Sequence, residues 1–178
     1  MLPVGDFKSK DVHIMKILVL LSIIMYHAYL IISAIKFDIT ASLSETHYKW
    51  LSKIPSGALF TLFCWAISFT VMIPMLEYTG PMYKFVPFFA GSGLMLVGAA
   101  PWFKDSGLER NVHYAGALLS IIFSYLWAFA EGNMYVTGIA AILTAIIFLV
   151  RKNINRIYWV ELIAFTNIYV QLILKIWN

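Results

Sequence analysis

An all-α membrane bundle of six transmembrane helices is the fold class this chain predicts, on three observations. Of its 178 residues, 61% are hydrophobic and only 12% charged, where a soluble domain carries roughly 25% charge. The mean hydropathy is +0.81. The apolar residues gather into six segments, approximately 14–35, 55–76, 84–103, 112–130, 133–150 and 157–176, each near the ~20 residues that cross about 30 Å of hydrocarbon. An even number of crossings puts both termini on the same side. The spans take up nearly the whole chain, so residues 1–178 read as a single integral membrane domain, with no room expected for a soluble catalytic domain.

The formal net charge of +4 is scattered among the loops rather than drawn into a basic run, which gives no reason to expect nucleic acid as a partner. Cys64 is the single cysteine and lies inside an apolar span, where a small packing residue is expected. One thiol builds neither an intrachain disulfide nor a cysteine-based metal site. The leading residues "MLPVGDFKSKDV" precede an apolar core too long for a signal peptide, and "SAIKFD" after it is a poor cleavage site, so the first span is expected to be retained.

Within the first span, His27 has Ile23 and Ile31 as neighbours one turn away on either side. It is expected to face protein, as a neutral ring bonded to a neighbouring helix. The first loop, residues 36–54, is the longest. Its Ser42, Ser44 and Thr46, with Glu45 among them, suit the N-terminus of a short helix. Tyr48 and Trp50 are expected at the headgroup level. The same loop is alternatively a lid over a binding mouth, a choice that its length leaves open.

The second span carries Gly57, Thr61, Cys64 and Ser68 on one face, a surface for close helix approach, and Pro74 is expected to kink or end it. The turn holding Gly80 and Pro81 makes spans two and three antiparallel neighbours. Small residues, among them Ala90, Gly91, Gly93 and Gly98, place the third span in the centre of the bundle. Pro101 and Trp102 mark its exit, and "KDSGLER" reads as a charged loop.

The fourth span is the most informative. His113, Gly116, Ser120, Ser124, Trp127 and Glu131 recur at steps of three and four, hence on one helical face, and the other face is Ala, Leu, Ile and Phe. Unpaired polar groups are costly in hydrocarbon, so this stripe is expected to turn inward. Gly132 makes the next connection tight, and the fifth span, with few polar groups besides Thr137 and Thr144, is expected to supply most of the lipid-facing surface. The sixth span contains Glu161, Asn167, Gln171 and Lys175. An acid one turn inside the boundary needs a partner. Spans four and six run the same way, so Glu161 and His113 can share a depth and pair.

The positive charges divide five on the side of the termini and eight on the side of the odd-numbered loops, which favours a cytoplasmic location for those loops.

Taken together, "SLSETHYKWL", "GAAPWF", "VHYAGALLSIIF" and "YWVELIAFTNIY" resemble the six-span bacterial membrane proteins related to the fibroblast-growth-factor-receptor-activating-protein and damage-regulated-autophagy-modulator group. The resemblance covers most of the chain through short, degenerate motifs. It implies a multi-pass protein of the bacterial inner (cytoplasmic) membrane, a first loop on the outside, against the charge count, and lipid handling. The positions it carries over are His113 and Glu161.

The leading expectation is therefore a membrane protein without assigned catalysis that binds a lipid or other small amphipathic molecule between its helices. The expected ligand-binding residues are His113, Glu161, Ser120, Ser124, His27 and Gln171. No catalytic residue, metal ligand or cofactor is expected, membrane lipids are the expected partners, and the oligomeric state stays open. One alternative is an intramembrane metal-dependent lipid hydrolase, which needs several histidines and an acid around zinc. The chain offers His13, His27, His47 and His113 without an HxxxH pair. Another is the substrate-binding subunit of a small-molecule transporter, whose AxxxA docking motif is missing from "HAYLIISAI". A bis-histidine haem site would need His27 and His113 at matched depth.

Overall fold

The computed structural model of the chain describes residues 9–53, 58–150 and 155–177. The expectations for Pro55, Gly57, Lys8 and the Arg151–Lys152 pair lie outside the described residues. Among the described residues seven α-helices follow one another: α1 Ser9–Phe37, α2 Thr46–Leu51, α3 Ala58–Glu77, α4 Phe85–Ala99, α5 Gly107–Glu131, α6 Met134–Val150 and α7 Arg156–Trp177, with 3₁₀ turns at Leu43–Glu45 and Pro81–Tyr83. Five of these segments, α1, α3, α4 with its leading turn, α5 and α7, are long and apolar enough to cross a membrane. The chain is thus all-helical and of the multi-pass membrane class. The remaining apolar helix, α6, has 17 residues, which at the helical rise amounts to about 25 Å.

Contrary to the central place expected of it, α4 exposes Phe85, Phe88, Phe89 and Leu96, and it packs chiefly against α5 and α3. Its glycines permit this. A Cβ on Gly93 would lie 2.5 Å from the Ser120 nitrogen and 2.6 Å from the Gly116 carbonyl, so α4 and α5 touch backbone to backbone. Against α3 the contact is polar: Thr61 and Ser68 hydroxyls donate to the Gly98 and Gly91 carbonyls, each at 2.7 Å. The Trp65 indole N–H donates to the Met95 carbonyl at 3.1 Å. The small face expected of span two is this surface.

The α5 stripe does face inward, with His113, Gly116 and Trp127 buried and Trp127 fully so. Around α6 only Thr137 and Ala140 are buried, while Ile139, Ile142, Leu143, Ile146 and Leu149 are exposed. The exposed side of this segment is thus apolar.

Two local expectations are corrected. Of the kink or end expected at Pro74, the end does not occur: α3 runs on to Glu77, with the Pro74 carbonyl accepting from Tyr78 N–H. A proline forfeits one backbone bond, and this close to the helix end little else is lost. The α4–α5 connection is also shorter than "KDSGLER" implied. Ser106 caps α5 by accepting from Glu109 N–H, and Glu109 Oε2 accepts from Trp102 N–H at 2.9 Å. Serine followed three residues later by glutamate is a capping-box sequence. Trp50 is buried at 5% exposure and donates its indole N–H to Ser33 Oγ at 3.2 Å, packing in the core under the first loop.

Candidate functional site under a helical cap

The first loop forms the capped short helix its sequence predicts. Ser42 Oγ accepts from Glu45 N–H at 3.2 Å, and Glu45 Oε2 accepts from Ala41 N–H at 3.1 Å. The segment lies across one end of the bundle and is bonded to several helices. Tyr29 of α1 and Thr46 bring their hydroxyls to 2.5 Å, and Trp50 reaches Ser33 of α1. Tyr158 N–H of α7 donates to the Ala41 carbonyl at 3.0 Å. Glu45 pairs with Lys104 in the α4–α5 turn, whose backbone N–H donates to Tyr48 Oη at 2.8 Å. The cap is therefore part of the folded bundle.

His113 and Glu161 both meet this cap, one residue apart along it. His113 Nδ1 lies 2.9 Å from the Ala100 carbonyl and Nε2 lies 3.0 Å from Ser44 Oγ. A carbonyl only accepts, so Nδ1 carries a proton, and in the neutral ring Nε2 then presents a lone pair to which the Ser44 hydroxyl donates. The Phe103 ring stacks on the imidazole with centroids 4.3 Å apart. Glu161 Oε2 accepts from Leu43 N–H at 2.6 Å, while Oε1 makes no hydrogen bond among the described residues. The pairing expected between His113 and Glu161 is thus indirect: the Leu43–Ser44 dipeptide stands between them.

Two cavities adjoin these residues. One, of about 470 Å³, gathers the polar side chains of His113, Glu161, Ser42, Ser44, Glu45, Lys104, Arg110 and Tyr114 in a wall that also contains the apolar Ala41, Phe103, Ala117 and Ile157. An apolar one of about 90 Å³, several times what a single water needs, lies among α3, α4, α5 and α7. Its wall includes Phe60, Ile67, Leu94, Phe165 and Ile168, and it also takes in Ser120 and Ser124. Ser44, Ala117 and Glu161 line both.

Four of the six expected site residues, His113, Glu161, Ser120 and Ser124, therefore come together here. Two do not. His27 is exposed, lines neither cavity, and donates from Nδ1 to the Ile23 carbonyl of its own helix at 2.8 Å. A ring satisfied by the preceding turn needs no protein partner, which is why the expectation that it faces protein fails. Gln171 sits ten residues beyond Glu161 on α7, about 15 Å away along the axis. Its Oε1 accepts from Asn133 N–H at 2.6 Å, and its Nε2 donates to the Asn133 carbonyl at 2.9 Å and to Thr137 Oγ1 at 2.7 Å. It clamps the α5–α6 turn. Beside it Lys175 pairs with Glu131 at 3.0 Å, closing the end of the α5 stripe. Gln171→Leu is expected to lower stability by about 1–3 kcal/mol, since it strands the Asn133 N–H, while the Asn133 carbonyl still accepts from Thr137 N–H at 3.1 Å and from the Thr137 hydroxyl at 3.3 Å. A thermal melt of the detergent-solubilised protein checks this.

Reading by spacing missed Ser44, Lys104 and Arg110 as members of the site. They come from loops or a helix start that the fold carries to α5 and α7, and no local period marks that juxtaposition. Among the described residues, no three His, Cys, Asp or Glu side chains converge in a way that would hold a metal ion. No protein family, curated protein or solved structure matches the chain.

Proposed function

We propose that this protein is a six-span membrane protein of the bacterial cytoplasmic membrane, with α6 as its short sixth crossing, that holds a lipid or other amphipathic molecule between its helices. The observation that carries the reading is the shared wall of the two cavities at Ser44, Ala117 and Glu161. A molecule with one polar and one apolar end matches that division, its polar end near His113, Glu161, Lys104 and Arg110 and its chain among α3, α4, α5 and α7. Apolar pockets with a few convergent polar groups are the usual form of a small-molecule site. Membership of the group that the sequence resembles belongs to the same proposal, and lipid handling is the trait the two share.

The test is mass spectrometry of what the gently purified protein retains, beside Ala117→Phe. A stoichiometric amphiphile is expected in the parent protein, and at least a tenfold smaller amount in the variant, whose ring would intrude at the wall the two cavities share. A folded parent protein that retains no amphiphile would overturn the reading, and so would equal retention by the variant.

A further inference from the structure

We propose that Ser44 and His113 form a nucleophile–base dyad that cleaves a carboxylic ester of the lipid held in these cavities. The inference rests on the lipid-site reading and adds a reaction to it. Its basis is the direction of two hydrogen bonds. With Nδ1 held as a donor to the Ala100 carbonyl at 2.9 Å, Nε2 accepts the Ser44 hydroxyl at 3.0 Å. The serine proton already points at the base and the oxygen lone pairs are left for a carbonyl carbon, the arrangement that activates a hydroxyl nucleophile. The Ala100 carbonyl does for the imidazole what a carboxylate does in a triad, fixing its tautomer and its aim.

The surroundings fit the reaction. Ser44 is only 6% exposed, yet it lines both cavities, so it meets the junction of head and chain of any amphiphile that spans them. Glu161 holds the neighbouring Leu43 N–H at 2.6 Å and thereby positions Ser44, acting through the backbone rather than on the reacting atoms. Arg110 lines the larger cavity with Ser44, and its guanidinium bonds only the backbone carbonyls of Phe103 and Lys104, at 3.3 and 3.4 Å, with no salt-bridged carboxylate among the described residues. A cation in the same cavity is the type of group that favours an anion on an ester carbonyl oxygen.

The steps balance. Ser44 Oγ bonds to the acyl carbon as its proton passes to His113 Nε2. The ester C–O bond then breaks, and the departing alcohol oxygen takes that proton. Water, the second reactant, adds to the acyl-serine with His113 again accepting the proton. The Oγ–acyl bond breaks, and the free acid and Ser44 hydroxyl are restored.

A long-chain alkyl fluorophosphonate tests this on the full chain in detergent. Ser44 Oγ would bond to phosphorus as fluoride leaves, giving an adduct that intact mass and peptide mapping locate. The expected result is one adduct at Ser44 in the folded protein, none after prior denaturation, and a labelling rate about 100-fold lower or less in His113→Gln, the scale of a lost general base. The denaturation comparison uses the parent protein alone, so it decides even if a variant fails to fold. No adduct at Ser44, or an adduct that forms equally on denatured protein, overturns the inference. Retained lipid without an adduct removes the dyad and leaves the lipid site standing, whereas neither lipid nor adduct removes both.

Discussion

Gly93→Ala is expected to destabilise the bundle by at least about 2 kcal/mol, toward the upper end of what overpacking costs. The added methyl would meet the Ser120 nitrogen at 2.5 Å and the Gly116 carbonyl at 2.6 Å. Both are backbone atoms of α5, so nothing can swing aside, and the two helices must separate along their whole contact. Separation would also disturb His113, which sits on α5 and is held by Ala100 just past the end of α4. Gly138→Ala is the control. A Cβ there meets nothing within 4 Å, and alanine in an open helix position gains roughly 0.5–1 kcal/mol over glycine. Thermal unfolding in one detergent should move the two variants in opposite directions. Equal shifts would refute the backbone contact between α4 and α5.

Glu161→Ala is expected to loosen the cap. It removes the acceptor of the Leu43 N–H bond at 2.6 Å and leaves that buried donor unpaired, at a cost of about 1–3 kcal/mol. Hydrogen exchange at Leu43, Ser44 and Glu45 should accelerate by one to two orders of magnitude, since about 1.4 kcal/mol of local opening energy is a factor of ten. The effect should stay within the cap while the Tyr29–Thr46 and Trp50–Ser33 bonds hold its other end. Glu161→Gln keeps an oxygen that can accept from the same N–H and should recover most of the protection. Protection unchanged in the alanine variant would show that the cap is held elsewhere.

These two positions also mark what the sequence makes legible. Apolar runs and the small-residue faces of α3 and α4 could be read directly, because in hydrocarbon each helix satisfies its own backbone and only side-chain size governs close approach. The α5 stripe was legible for the same reason, since polar groups at helical spacing have few places to go but inward. His27 looked alike by composition, but a histidine can spend its one N–H on the carbonyl four residues back, and nothing in the spacing distinguishes that case. Glu161 and Gln171 share a helix and a polar character, yet one faces the cavities and the other binds a turn. That difference depends on what stands opposite each of them. Ser44 was legible as a helix-capping residue and not as the partner of His113, because 69 positions separate them. The start of α5 was different, since Ser106 and Glu109 already stood at capping-box spacing.

The unequal lengths of α1 and α6 bear on the choice of bilayer. From Ile14 to Ile35 the apolar part of α1 measures about 33 Å, whereas α6 with its 17 residues measures about 25 Å. In the proposed six-span arrangement no flat slab of uniform thickness would suit both: the first helix would lean or project, and lipid beside the second would thin, at a fraction of a kcal/mol for each ångström. The proposed bundle would thus be wedge-like in its demand on the surrounding acyl chains, with short-chain lipids gathering on the α6 side, where exposed isoleucines and leucines lie.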